Sequence, residues 1–289
     1  MPAVFVLIWS TGFVAARLAM PHAPPFGFLA IRFALSAACF ALWMRLAGVP
    51  WPRGRRQWFH LAVTGALMQA AYLGGVWAAV RQGLGAGTVA LVVGLQPVLT
   101  AVWVSARSRG GESASAVDRR QWLGLALGLG GLGLVVWNKL GVGEMTPANL
   151  VLAVGALLGI TVGTLYQKRF VAPCDVRAAS AVQMLAAVAI ATPIALLEPG
   201  AIDWRNPDFA IAMGWSVLAL TLGGSSLLYL LIQRGEATAV TSLLYLVPPC
   251  TAAMAWALFG EPVTVLMVAG MIAIAFGVAL VMRTPRSSG

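Results

Sequence analysis

Ten apolar stretches fill this chain of 289 residues, and its second half repeats its first at an offset of 151. Leu95-Gln96-Pro97-Val98-Leu99-Thr100-Ala101 returns as Leu246-Val247-Pro248-Pro249-Cys250-Thr251-Ala252. The stretches run over 3–20, 26–47, 59–80, 84–106, 121–138, 148–167, 177–198, 209–232, 238–258 and 263–282. Their length, and the lack of period-two alternation, predict helices rather than strands. About 20 helical residues at about 1.5 Å each span a hydrocarbon core of about 30 Å. Each half holds an odd number of stretches, so a second copy that crosses a membrane must enter it from the opposite face. Two inverted halves meeting near the midplane are an architecture used by transporters. The predicted fold class is therefore all-α integral membrane: ten transmembrane helices, as two inverted five-helix repeats around a central cavity. The first repeat is expected over 1–147 and the second over 148–289.

Composition agrees with membrane residence. Sixty per cent of residues are hydrophobic and 10% charged, against about 25% charged in soluble domains. A net charge of +10 could point to nucleic acid, but the positions of the cations argue for a membrane. If the spans alternate, Arg45, Arg53, Arg55, Arg56, Arg107, Arg109, Arg119, Arg120, Lys168, Arg169, Arg177, Arg234, Arg283 and Arg286 share one side. Opposite them stand Arg81, Lys139 and Arg205, with Arg17 and Arg32 in or near spans. That bias is the positive-inside signal and predicts cytoplasmic termini in a bacterial-type inner membrane. Membrane lipid and a small-molecule substrate are the expected partners, without nucleic acid, and the chain is expected to act as a monomer or weak oligomer. Residues 3–20 are read as a first span rather than a removed signal peptide. Cys39, Cys174 and Cys250 lack metal-ligand spacing, and no metal or cofactor is expected.

Enzymatic chemistry has little to work with. Glu112, Asp118, Glu144, Asp175, Glu198, Asp203, Asp208, Glu236 and Glu261 are all the acidic residues, each in a loop or within about a turn of a span end. No catalytic residue is assigned. Proton-coupled carriers hold an ionisable group within the membrane, so facilitated diffusion is the expected mode. The Gly128-Leu129-Gly130-Gly131-Leu132-Gly133 run carries G-x-G-x-x-G spacing but sits within an apolar helix, where small residues allow close packing.

Neutral polar and aromatic residues mark the interior instead. Trp9, Thr11, Gln69, Tyr72, Trp77, Gln96, Thr161, Thr164, Ser225, Tyr229 and Tyr245 are the candidate substrate-binding residues. Polar groups in lipid must turn inward, and i, i+4 pairs share a face. Trp77 is also read as an interfacial belt residue, because it lies within a turn of a span end. Pro97, Pro248 and Pro249 are expected to break helices at matching positions in the two halves and so to free the Val93, Leu244 and Tyr245 carbonyls, a pointer to a binding site or gate. Arg32 within the second span could hold a substrate carboxylate or cap a neighbouring helix, and its repeat counterpart is Gln183.

The motifs Trp9-Ser10-Thr11-Gly12-Phe13, Pro24-Pro25 followed by Arg32-Phe33, Leu95-Gln96-Pro97 and Gly260-Glu261 resemble the EamA-type drug/metabolite transporters. Length and span count are similar to the YddG-type amino-acid exporters of that superfamily. The resemblance implies a cavity lined by the first, third, fourth, sixth, eighth and ninth spans. It also implies a substrate role for Trp9, Thr11, Tyr72, Gln96, Thr161, Tyr229 and Tyr245. The expected function is export of small zwitterionic metabolites, amino acids above all, by alternating access. Alternatives are export of another metabolite or a drug-like cation, or a non-transporting membrane scaffold or receptor.

Overall fold

The computed structural model describes residues 2–107, 119–141, 144–224, 227 and 246–282, and every regular element among them is helical. In chain order these are α1 (Pro2–Ala19), α2 (Pro25–Leu46), α3 (Arg55–Arg81) and α4, which comes as two segments, Ala86–Val93 and Gln96–Arg107. Then follow α5 (Arg119–Gly141), α6 (Pro147–Phe170), α7 (Val176–Leu197), α8 (Pro207–Gly223), α9 (Val247–Phe259) and α10 (Val265–Met282). Four of them, α2, α3, α6 and α7, are long and apolar enough to cross a bilayer by length and composition. The helices match the expected spans to within a few residues. Residues 225, 226 and 228–232 of the expected eighth span and 238–245 of the expected ninth lie outside the described residues.

Local chemistry accounts for the helix starts. Proline opens α2, α6 and α8 in the first turn, where its missing N–H has no partner to lose. Thr146 and Asn149 form a capping box on α6, Asp175 caps α7 and Asn206 caps α8. Two carboxylates cap helices from distant loops. Glu198 accepts hydrogen bonds from the Phe26 and Gly27 amides of α2 at 2.8 and 3.2 Å. Glu261 accepts from the Ala86 amide of α4 at 3.1 Å, with Arg17 3.7 Å away. Free N–H groups at a helix start attract negative charge, and both carboxylates are used for that purpose.

The duplication reaches the irregularities of the backbone. A π-helical segment occupies Ala66–Ala71 in α3 and another Ser216–Gly223 in α8, and an offset of 151 sets Ala66 against Val217. The same offset relates Gln96 and Val247, where new helical segments begin. Packing is reciprocal as well. Helix α2 packs on α7 and α5 on α10, each against its own counterpart; α1 packs on α9 as α6 does on α4, and α3 on α6 as α8 does on α1.

Glycines set the closest of these contacts. A Cβ on Gly131 would stand 2.7 Å from the Gly270 carbonyl oxygen, and one on Gly277 only 2.5 Å from that of Gly124. The glycine run of α5 is thus a packing surface against α10. Large apolar residues such as Leu42, Leu196 and Val265 face outward, the inverse of a water-facing surface and suited to lipid.

Candidate functional site

The interrupted helix α4 meets the start of α9. In α4 the Gly94 amide still bonds to the Ala90 carbonyl at 2.8 Å, but the Leu95 amide reaches back only three residues, to Val92, at 3.2 Å. The helix therefore tightens and restarts at Gln96, with Pro97 in its new first turn. Pro248 and Pro249 occupy the first turn of α9 in the same way. A Cβ on Gly94 would come 3.1 Å from Pro248 Cγ, so the break in α4 abuts the start of α9. Proline was expected to make these breaks by freeing a carbonyl. In α4 the break lies upstream of the proline, at Gly94–Leu95. The freed carbonyls expected at Leu244 and Tyr245 fall outside the described residues. Ser10 and Thr251, both fully buried, tie α1 to α9 through a Thr251 hydroxyl bond to the Ser10 carbonyl at 3.2 Å.

Against this crossing lies a chamber of about 330 Å³ with mainly apolar walls. Trp9 and Phe13 of α1, Tyr72 of α3, Val93, Gly94, Gln96 and Pro97 around the α4 break, Ile160 of α6, Leu246 to Pro249 at the start of α9 and one face of α10 line it. A second chamber of about 110 Å³ shares Trp9, Phe13, Tyr72 and Ile160 with the first. It adds Gln69, Trp77, Thr221 and Arg32 and is the more polar of the two.

Arg32 carries the charge of this smaller chamber. Its residue is 7% exposed, and its guanidinium carbon lies 5.8 Å from the Trp77 ring centroid. One Nη2 donates to the Thr221 hydroxyl at 3.3 Å, and Thr221 in turn donates to the Ser216 carbonyl at 2.8 Å. The Arg32 Nε is buried with no hydrogen-bond partner, and no carboxylate pairs with this arginine among the described residues. An arginine at a helix centre costs about 2.5–3.5 kcal/mol on insertion scales. Its seventh step from the start of α2 puts it about 10 Å deep along the axis.

Of the candidate residues, Trp9, Tyr72, Gln96, Pro97, Pro248 and Pro249 line the larger chamber; Gln69, Trp77 and Arg32 line the smaller. Trp77 is 1% exposed and stacks on Phe28 at 4.4 Å, so it is no belt residue. Its place in its helix suggested the membrane interface, but its ring packs inward against Phe28 of α2. Thr11 points elsewhere: its hydroxyl donates to the Ile8 carbonyl at 2.5 Å and accepts from Trp215 Nε1 at 2.7 Å. Thr161 is spent on the Leu157 carbonyl at 2.7 Å. Neither threonine lines a chamber. Thr164 stands behind the wall, accepting from Gln96 Nε2 at 3.1 Å. Ser225, Tyr229 and Tyr245 lie outside the described residues. Sequence reasoning missed Thr221 and the whole α10 wall. Thr221 sits i, i+4 before Ser225, a signal that was available; α10 has no polar residue to mark its inner face.

The model of the EamA-like transporter family matches residues 3–137 and again 148–283. The chain belongs to the EamA-like transporter family. As an EamA-like protein it is 25% identical over 290 residues to the uncharacterized transporter YvbV of Bacillus subtilis, covering 96% of this chain and 89% of that one. It is also 25% identical over 264 residues to the uncharacterized transporter sll0355 of Synechocystis, covering 83% and 76%. A solved crystal structure shares the fold at a TM-score of 0.64 and 17% identity, across 96% of the EamA-like chain and 94% of its own. The family's multi-pass membrane fold explains why the large apolar side chains face outward and the polar ones inward.

Proposed function

We propose that this EamA-like transporter exports small zwitterionic metabolites, amino acids foremost, from the cytoplasm across a bacterial-type inner membrane. The observation that carries the reading is the meeting of the break in α4 with the proline-bearing start of α9, Gly94 against Pro248, beside the larger chamber. Interrupted helices at matching positions of two repeats are where carriers hold substrate and bend. The two halves, 1–147 and 148–289, are inverted repeats with both termini cytoplasmic, and rocking of one against the other gives alternating access. Flux is facilitated diffusion by a monomer or weak oligomer, without cofactor. In support, the carboxylates nearest α2 and α4, Glu198 and Glu261, are engaged as helix caps. Arg32 supports a solute with a carboxylate over a drug-like cation, which the same charge would repel.

Counterflow in proteoliposomes tests this. Vesicles loaded with an unlabelled amino acid and given no ion gradient should take up the labelled form transiently above equilibrium, and an uncoupler should leave the overshoot intact. Absence of overshoot across a panel of amino acids would remove them as substrates. Loss of overshoot with the uncoupler alone would replace facilitated diffusion by proton coupling.

A further inference from the structure

Two features of the central cavity stand apart from the transport reading: a buried cation with a free donor, and the lack of any anion to match it among the described residues. We infer that the cavity selects substrates by one oxyanion held at Arg32 and one apolar body in the larger chamber, with no requirement for an ammonium group. The substrate class is then an amphipathic solute bearing one oxyanion; an apolar amino acid supplies that oxyanion and apolar body but carries an ammonium that the cavity does not use. This rests on reading the cavity as the transport site, and it sharpens what that site recognises.

The geometry of Arg32 is that of a held but unfilled fork. Trp77 lies 5.8 Å from the guanidinium carbon and Thr221 accepts from one Nη2 at 3.3 Å. The Nε has no partner, although the residue is only 7% exposed. A ring face and a hydroxyl orient a guanidinium without using up its in-plane donors, and a carboxylate or sulfonate accepts from two such donors at once. In low dielectric that pairing is far stronger than in water. An anion there would supply the counter-charge that the described residues do not.

The ammonium end has no comparable partner. The polar side chains lining the two chambers besides Arg32 are neutral: Gln69, Tyr72, Gln96 and Thr221 among them. Glu198 and Glu261 serve amides of α2 and α4. A fixed cation with no fixed anion among the described residues disfavours a second positive charge more than it rewards one. The joined chambers then divide the work: about 110 Å³ around the charge and about 330 Å³ of mainly apolar wall.

Three permanently defined probes separate the possibilities on the full chain: L-leucine, hexanesulfonate and hexyltrimethylammonium. The last two keep their charge at any working pH and do not leak through lipid as neutral forms. Each is tested for thermal stabilisation of the detergent-purified wild type and for inhibition of labelled-leucine counterflow. Hexanesulfonate should stabilise the protein and compete within roughly threefold of leucine itself, whereas the quaternary ammonium should do neither. Arg32→Gln should weaken hexanesulfonate by roughly tenfold or more, the size of one charge-assisted hydrogen bond, and Arg32→Lys should recover part of that loss. The wild-type arm stands even where the variants fold poorly. Leucine counterflow that hexyltrimethylammonium inhibits and hexanesulfonate does not would overturn the inference and leave the transport reading standing. Arg32-dependent stabilisation by hexanesulfonate without leucine flux would uphold the inference and remove amino acids as substrates. No response to any probe would overturn both.

Discussion

Residue identity within this membrane interior matters less than what each polar atom is already bonded to. Thr11, Thr161 and Thr164 all satisfy their hydroxyl protons on carbonyls of their own helix, as threonines in lipid do. Among the described residues Arg32, with more donors than its neighbours accept, is the one charged side chain with a buried donor left unpartnered, beside the neutral hydroxyls of Ser36, Thr88 and Ser216. Outside the spans the same accounting gives a test. Asp175 caps α7 by accepting from the Arg177 amide at 2.9 Å and pairs with the Arg177 side chain at 2.7 Å. The hydrogen bond from Arg177 is the main reason its carboxyl is held below the ordinary value of 3.8. A depressed carboxylate stabilises the fold above its unfolded-state pKa, and the benefit is lost as pH falls through the folded value. Asp175→Ala should therefore lower stability by about 1 kcal/mol at neutral pH, as loss of a cap does. Thermal unfolding of both proteins from neutral pH to about pH 3 should show the gap closing toward the acid end. A gap that does not change with pH would mean that the carboxylate charge contributes nothing.

At the scale of elements, the deciding feature is a helix that stops and restarts. Pro97 and Pro248 flagged it in the sequence, because a proline inside an apolar run removes a backbone donor that lipid cannot replace. The position of the break was not legible: Gly94 supplies it, by a close approach to Pro248 that only the packed helices reveal. The π segments of α3 and α8 carry no sequence mark, and α10 forms a wall of the chamber without a polar residue to show it. The helical spans and the duplication could be anticipated because hydrophobic length and repetition are one-dimensional signals. Side-chain direction is not, which is why Thr11 was placed in the cavity and Thr221 was overlooked. Pro97→Ala alone should keep most of the flux, since the Leu95 amide remains bonded to Val92. Adding Gly94→Ala favours a continuous α4, by about 1 kcal/mol for the glycine and up to about 3 kcal/mol for the proline. The new methyl also presses on Pro248. The double variant should fold and insert, yet lose roughly tenfold or more of counterflow per inserted molecule, a barrier increase of about 1.4 kcal/mol. Wild-type flux in the double variant would reduce the break to a packing kink. A second element-level expectation concerns α5 and α10, whose backbones touch at Gly131 and Gly270. Gly131→Val should separate them and lower stability by about 1–3 kcal/mol through overpacking, measured as denaturation in detergent; an unchanged midpoint would show that the contact is not tight.

For the molecule as a whole, reciprocal packing and shared irregularities describe a two-fold relation between halves, and membrane insertion converts it into a statement about sides. With five crossings per half, as proposed, counterparts should emerge on opposite faces. The turn between α1 and α2 corresponds, at the offset of 151, to the turn between α6 and α7, with Ala23 matched to Cys174. On the proposed topology the second of these is cytoplasmic, flanked by Lys168, Arg169 and Arg177. Cys174 is exposed, and Cys39 and Cys250 are half-buried in helices, so the native thiol can report on its own side. Its reaction should be slow, because partial burial raises the thiol above its ordinary value of 9.0 and neighbouring Asp175 adds to the rise, against a contact with Gln57 that lowers it. Maleimides react with the thiolate, so raising pH should speed labelling without changing which face is labelled. In a background of Cys39→Ala and Cys250→Ala, a membrane-impermeant maleimide should leave Cys174 untouched in intact spheroplasts and label it after permeabilisation. Pro21→Cys, in the exposed counterpart turn and with Cys174 also replaced by alanine, should label before permeabilisation. Labelling of both positions from the same face would dissolve the inversion, and alternating access built on two inverted halves would fall with it.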